Sequence, residues 1–428
     1  MSFGPCWDML VYMTEATDNP IHGARAKARC DALGVPPYSD QKDGLFRPYL
    51  GPAHHATLGC IAQWMDEAGM SVEIDAVGNI VGHYAGIPAD APVLLLGSHV
   101  DSVRDGGRYD GMLGVMLGIE TVAFFHAQGR RFPFAIEVIG FGDEEGSRFS
   151  TYMMGSRSAA GLEQEIDDTI RDSEGITLHR ALADWGLSVQ RFGTARRQNV
   201  LAYLEAHIEQ APHLERAARP LGLVRGIASQ YRYRVTFTGL ADHAGTAMGE
   251  RRDALAAAAE AIVSIEAVGA AGPDDLVTTV GVLQVENGAP NVVPGQVVMT
   301  MDIRAVTPGA REAAAGEIRS MLDALSRKRQ VTVQVERIQD LQGALCDETL
   351  NRMLGEAIVE TTGEEPPLLL SQAGHDAMVM ARCAPMSMLF IRCAGGISHN
   401  PAESVTVSDV EAAFDTLTRV IEKFGEDR

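Results

Sequence analysis

Two apolar runs, PVLLLG (92–97) and FAIEVIGFG (134–142), flank a stretch with helical patterning at 111–128. A strand that is apolar on both faces must be covered on both faces. Strand, helix and strand in this order therefore predict an α/β layer, with helices packed on both sides of its sheet. A helix is expected upstream over 53–69, which carries apolar residues at helical spacing and ends on glycine. The alternating segment 71–84 (SVEIDAVGNIVGHY) reads as strand.

The rhythm changes near Gly222. A long alternating run, 223–239, is followed by a helical stretch at 251–268, strands at 277–286 and 292–305, a helix at 308–326 and a strand at 330–338. The order βαββαβ is the ferredoxin-like pattern. Because α/β grammar resumes at 347–361 and closes in a helix at 408–425, this unit reads as an insertion. The expected organisation is a catalytic α/β/α sandwich with a mixed central sheet over 1–220 and 340–428, interrupted by a ferredoxin-like domain over 221–339. A length of 428 residues suits two domains.

A formal charge of −21 supplies no basic footprint for phosphate, so nucleic acid is not an expected partner. No eighteen-residue apolar run predicts a membrane span, and the N-terminal MSFGPCWDMLVYMTEATDNP lacks the pattern of a signal peptide. Cys6, Cys30, Cys60, Cys346, Cys383 and Cys393 show no C-x-x-C spacing and read as reduced thiols, with the cytoplasm as the expected compartment.

Five residues spread over three hundred positions sit in settings suited to metal ligation. His99 lies in GSHVDSV, Asp110 in GGRYDGMLG, Glu145 in FGDEEGS, His207 in LEAHIEQ and His399 in GGISHNPAE. Singly, each has a bland reading: a surface His-x-Asp pair, a capping aspartate, a solvated acidic turn, a packed core histidine. The combination argues for a site. Asp101, two residues after His99, is placed to accept the second imidazole N–H. Glu144 beside Glu145 puts two carboxylates at one strand end, which is unfavourable unless a cation offsets one. One ligand and one general base is the arrangement that metal-assisted hydrolysis needs. Imidazole with carboxylate suits zinc, manganese, cobalt or nickel better than calcium.

The ordered segments GSHVDSV, GGRYDGMLGV, DEEGSRF, HIEQ, DHAGT, NVVPG, DIR, AGHDAM and GGISHNPAE resemble the co-catalytic metallopeptidase-type amidohydrolases. The likeness is to their ureido-hydrolysing branch, which holds allantoate amidohydrolase, N-carbamoyl-L-amino acid hydrolase and β-ureidopropionase. It implies two divalent ions per subunit, one held by His99, Asp110 and His207, the other by Asp110, Glu145 and His399. Glu144 would be the base and Asp101 would orient His99. The inserted domain would be a lid that also forms a homodimer. Its His243 would stabilise the developing oxyanion, Asn291 and Arg304 would hold the substrate carboxylate, and Gln210 and Gly374 would line the pocket. The implied reaction is hydrolysis of a ureido C–N bond in a small acid. The segment IRCAGGISHNPAESV points to allantoate, with release of ammonia, carbon dioxide and ureidoglycine. N-carbamoyl-L-amino acids and N-carbamoyl-β-alanine are the alternatives. A dipeptidase or aminoacylase, or a silent binding protein on the same fold, stands further off, since no ligand or base is missing. Two departures stand out: DHAGTAMGERRD is one residue shorter than the usual loop and lacks its proline, and Gln372 replaces a common glycine.

Overall fold

The computed structural model describes residues 21–162, 166–307 and 309–426. The N-terminal segment read for a leader, Cys6 and the first position of the helix expected from 308 lie outside the described residues. The chain divides into two compact units. One holds the residues up to Arg225, Cys346–Leu369 and those from His375 onward; the other holds Gly226–Leu345 and Leu370–Gly374.

The first unit is an α/β/α sandwich on a mixed sheet. Across that sheet run Ser71–Ile74, Ile80–Tyr84, Ala135–Phe141, Val93–His99, Val200–Ile208, Met386–Ile391 and Leu221–Ile227. Val93–His99 is parallel to both of its neighbours, and Val200–Ile208 is parallel to Met386–Ile391. Every residue of Val93–His99 and Ala135–Phe141 is buried, as runs covered on both faces must be. Helix Met112–Ala127 packs on these strands, and His22–Ala32 packs against it and against Val407–Glu426. Buried Glu120 fastens the first pair of helices, accepting from Arg29 Nη1 at 2.6 Å and Arg25 Nε at 2.7 Å.

The run 71–84 is not one strand but a hairpin, Ser71–Ile74 and Ile80–Tyr84. Between them Asp75 Oδ1 accepts the backbone N–H groups of Val77 and Asn79, and Gly78 takes a left-handed φ of +88°. An Asx turn of this kind reverses the chain within five residues. The alternating run 223–239 also breaks, at Ala228. Leu221–Ile227 pairs with Met386–Ile391, whereas Ser229–Thr238 belongs to the sheet of the second unit.

That second sheet is antiparallel in the order Leu283–Glu286, Gln296–Ala305, Ser229–Thr238, Thr332–Leu341, with Val277–Thr279 also on Gln296–Ala305. Helices Ala254–Ala271 and Ala310–Arg329 pack on it, so the ferredoxin-like order is present. Asp253 caps the first helix through Ala256 N at 2.9 Å. By length and hydropathy Ala254–Ala271 could cross a membrane, yet Ala254, Ala257, Ala258, Ala261 and Ile265 form the stripe buried in this unit's core. Among the described cysteines Cys30, Cys346, Cys383 and Cys393 are free thiols.

Candidate metal centre

Parallel strands bring their C-terminal ends to one edge of a sheet, and ligand sites in open α/β folds form there. His99 ends one such strand and His207 lies one residue from the end of its parallel neighbour. The register Leu96↔Leu204 places the two histidines at the same level. Glu144 and Glu145 follow the end of Ala135–Phe141, and His399 lies in the loop after Met386–Ile391. Asp110 precedes helix Met112–Ala127, whose N-cap Gly111 has φ +63°. A Cβ at Gly111 would sit 2.4 Å from the His99 ring, so only glycine lets this turn pass the imidazole.

The Asp110 carboxylate is divided between two sets of side chains. Its Oδ1 lies 3.3 Å from His207 Nε2 and 3.7 Å from His99 Nε2, while Oδ2 lies 3.1 Å from His399 Nε2. His399 Nε2 is also 3.4 Å from Glu145 Oε1. Two clusters result, His99–Asp110–His207 and Asp110–Glu145–His399, each with its ligating atoms within 4.8 Å of one another. These are the trios expected from sequence. Glu144 belongs to neither, but its carboxylate stands within the same distance of His99 and Glu145.

The donor set fits a pair of divalent ions. His207 Nε2 and Glu145 Oε1 are buried with no hydrogen-bond partner, although leaving such atoms unpaired is costly. Both aim into the clusters. The second ring nitrogens are fixed, His99 Nδ1 against the Asp101 carbonyl at 3.0 Å and His207 Nδ1 against the Ile208 carbonyl at 2.9 Å, so the Nε2 atoms are left as donors to metal. Burial drives the His207 imidazole down to about 4, keeping it in the neutral form that a ligand requires. Burial, then the neighbouring Asp110, pushes Glu145 up to about 7; burial, with Glu145, Asp376 and Asp101 nearby, holds Glu144 well above its ordinary value. So many carboxyls crowded together repel one another, and bound cations reverse that balance.

The expected role of Asp101 needs correction. His99 is oriented by the Asp101 backbone carbonyl, not by its carboxylate. The carboxylate instead accepts the backbone N–H groups of Glu144 at 3.1 Å and Glu145 at 3.2 Å, and so clamps the turn that carries base and ligand. Gln210 Nε2 donates to Asp110 Oδ1 at 3.0 Å and to Ser398 Oγ at 3.1 Å.

His243, Asn291, Arg304 and Gly374 stand on the second unit. Arg304 donates through Nε to Asp302 Oδ1 at 2.8 Å and through Nη1 to the Gln372 carbonyl. It lines a cavity of about 380 Å³ with Arg232, Thr279, Thr300, Asp302 and Gln372. His243 is exposed, and its Nδ1 accepts the Gly245 N–H at 3.0 Å. In the loop that follows, Arg251 donates through Nε to the Thr246 carbonyl and through Nη2 to the Ala244 carbonyl.

Sequence reading passed over several groups near the ligands. Glu205, two residues before His207 on the same strand face, accepts from Ser98 Oγ at 2.8 Å and from Ala377 N at 2.9 Å. His375 stands edge-on to His207, with ring centroids 4.4 Å apart. The period-two spacing of Glu205 and His207 was a usable signal; His375 stood inside the AGHDAM segment without a role assigned to it.

The model of Peptidase family M20/M25/M40 matches residues 95–423. The chain is 36% identical to the allantoate deiminase of Arabidopsis thaliana over 446 aligned residues, which cover 96% of this chain and 84% of that protein. It is 39% identical to the N-carbamoyl-L-amino acid amidohydrolase of Geobacillus stearothermophilus over 364 residues, 84% of this chain and 88% of that one. Among solved structures, an amidase of the hydantoinase/carbamoylase family from Burkholderia multivorans superposes with a TM-score of 0.85 at 31% identity, covering 94% of this chain and 98% of the other.

Proposed function

The chain belongs to peptidase family M20/M25/M40, in its allantoate deiminase and carbamoylase branch, and is a metal-dependent amidohydrolase of ureido C–N bonds; we propose that its substrate is allantoate. One observation carries the chemistry: a single carboxylate shared by two ligand sets, with a free glutamate beside them. Divalent ions held by His99, Asp110 and His207 and by Asp110, Glu145 and His399 would supply Lewis-acid polarisation of the ureido carbonyl and acidify the attacking water.

The side chains do the rest. Glu144 accepts the proton of the attacking water and returns it to the leaving nitrogen as the C–N bond breaks. The products are ammonia and a carbamate, which loses carbon dioxide to leave the amine, here ureidoglycine. Asp101 keeps Glu144 in place by holding its backbone N–H. We assign to His243 a hydrogen bond to the developing oxyanion, and to Arg304 and Asn291 the substrate carboxylate, for which a guanidinium fork is well shaped. Gln210 and Gly374 are assigned to substrate binding in this reading.

The 39% identity to a carbamoylase supports a second reading, an N-carbamoyl-L-amino acid substrate. Ammonia release from the metal-reconstituted protein with allantoate, N-carbamoyl-L-methionine, N-carbamoyl-β-alanine and the carboxamide analogue of the best of them separates the two. Allantoate is expected to give the highest kcat/KM, and the carboxamide to lose at least tenfold, since a charged hydrogen-bond pair contributes about 1.5–3 kcal/mol. A preference for the carbamoyl amino acids overturns the allantoate assignment, and equal turnover of the carboxamide overturns the carboxylate clamp.

We also propose a homodimer formed through the second unit. Leu283–Glu286 is an edge strand, and Leu283, Val282 and Val277 beside it are exposed, a surface that invites pairing. Light scattering should give twice the 45.9 kDa chain mass; a monomer at assay concentration would count against it.

A further inference from the structure

The two ligand trios are not built alike. His99 and His207 stand on adjacent strands of the sheet, each with its ring fixed by a main-chain carbonyl. His399 sits in a loop, with φ +53° and a side chain 49% exposed, and Asp110 comes from the loop before a helix. No sheet ladder joins these two loops. A buried carboxylate does: Glu403 Oε1 accepts the backbone N–H groups of Tyr109 at 2.8 Å and Asp110 at 3.1 Å, and Oε2 accepts Ser398 Oγ at 3.0 Å.

Ser398 directly precedes His399, and its Oγ lies 3.4 Å from Asp110 Oδ2, the oxygen that faces His399. The opposite oxygen, Oδ1, has its own donor in Gln210. Glu403 therefore supports the Oδ2 side of the shared carboxylate and the His399 loop together. The chain makes room for it, because a Cβ at Gly107 would fall 2.0–2.1 Å from the Glu403 carboxyl atoms.

From this geometry we infer that Glu403 is a positioning residue that sets the second metal position, Asp110–Glu145–His399, independently of the first. The inference rests on the two-metal reading and adds to it an asymmetry between the two positions.

Metal-free protein titrated with cobalt(II), followed by visible absorption and by competition with a chelator, tests it. Wild type is expected to take up two equivalents. In Glu403→Ala the first equivalent keeps its affinity, while the second weakens about 10- to 100-fold, the range seen when a ligand's outer hydrogen-bond partner is removed. Glu403→Gln should recover most of the loss, since an amide oxygen can accept the two N–H groups and the amide nitrogen can donate to Ser398. Gly107→Ala displaces the carboxylate while leaving Glu403 present, so the same selective loss is expected, and this variant carries the test if Glu403→Ala is not recovered folded. Equal weakening of both equivalents, or none, overturns the inference. A wild-type chain that takes up fewer than two equivalents overturns the two-metal reading itself.

Discussion

Glu144→Gln is expected to keep two equivalents of divalent metal and to lose turnover by at least two orders of magnitude. General-base catalysis by a positioned side chain contributes about 10²- to 10⁴-fold, and glutamine matches glutamate in shape but takes no proton at neutral pH. Metal retention follows from the geometry, because neither trio draws on Glu144. The turn itself should survive, since Asp101 grips the backbone N–H of residue 144 and not its side chain. Metal content by elemental analysis, beside kcat on the best ureido substrate, checks both halves. Wild-type turnover in the variant would remove the base assignment, while metal loss would make Glu144 a ligand.

How much of this could be read from the chain depended on whether the physical cause was local. The runs at 92–97 and 134–142 announced buried parallel strands because their composition itself requires cover on both faces. The same strands carried the legible part of the site, since ligands at strand ends keep a recognisable neighbourhood of glycines and acids. The hairpin at 71–84 was masked by continuous alternation, although DAVGN held the turn. The break at Ala228 has no local signal at all: the chain there leaves one sheet and enters another, a choice made by tertiary pairing. The Asp101 correction is of the same kind. A carboxylate two residues from a histidine is placed by sequence to orient it, yet a carbonyl at that residue reached the ring first, and the carboxylate was drawn to two N–H groups more than forty residues away. Glu403 stood inside a quoted motif without a role, because its partners, Tyr109 and Asp110, lie almost three hundred residues earlier.

The shared carboxylate carries the second large effect. In Asp110→Asn both metal positions should weaken together, because each trio loses its anionic bridge at once, leaving two histidines in one and Glu145 with His399 in the other. Substituting His207 touches one trio only and serves as the contrast. Ligand binding stabilises the folded state by RT ln(1 + [L]/Kd), about 2.7 kcal/mol for each site at a free-metal concentration a hundredfold above its Kd. Wild type should therefore show a large rise in melting temperature when metal is added, and Asp110→Asn almost none. Without metal the variant gains nothing: although burial opposes it, hydrogen bonds from His399 and His99 and the nearby His207 hold the Asp110 carboxyl well below its ordinary value, so asparagine forfeits contacts that favour the ionised carboxylate. Scanning calorimetry of both proteins, with and without added zinc, reads these effects directly. If the asparagine variant binds two ions and gains as much from metal as wild type, Asp110 does not bridge them.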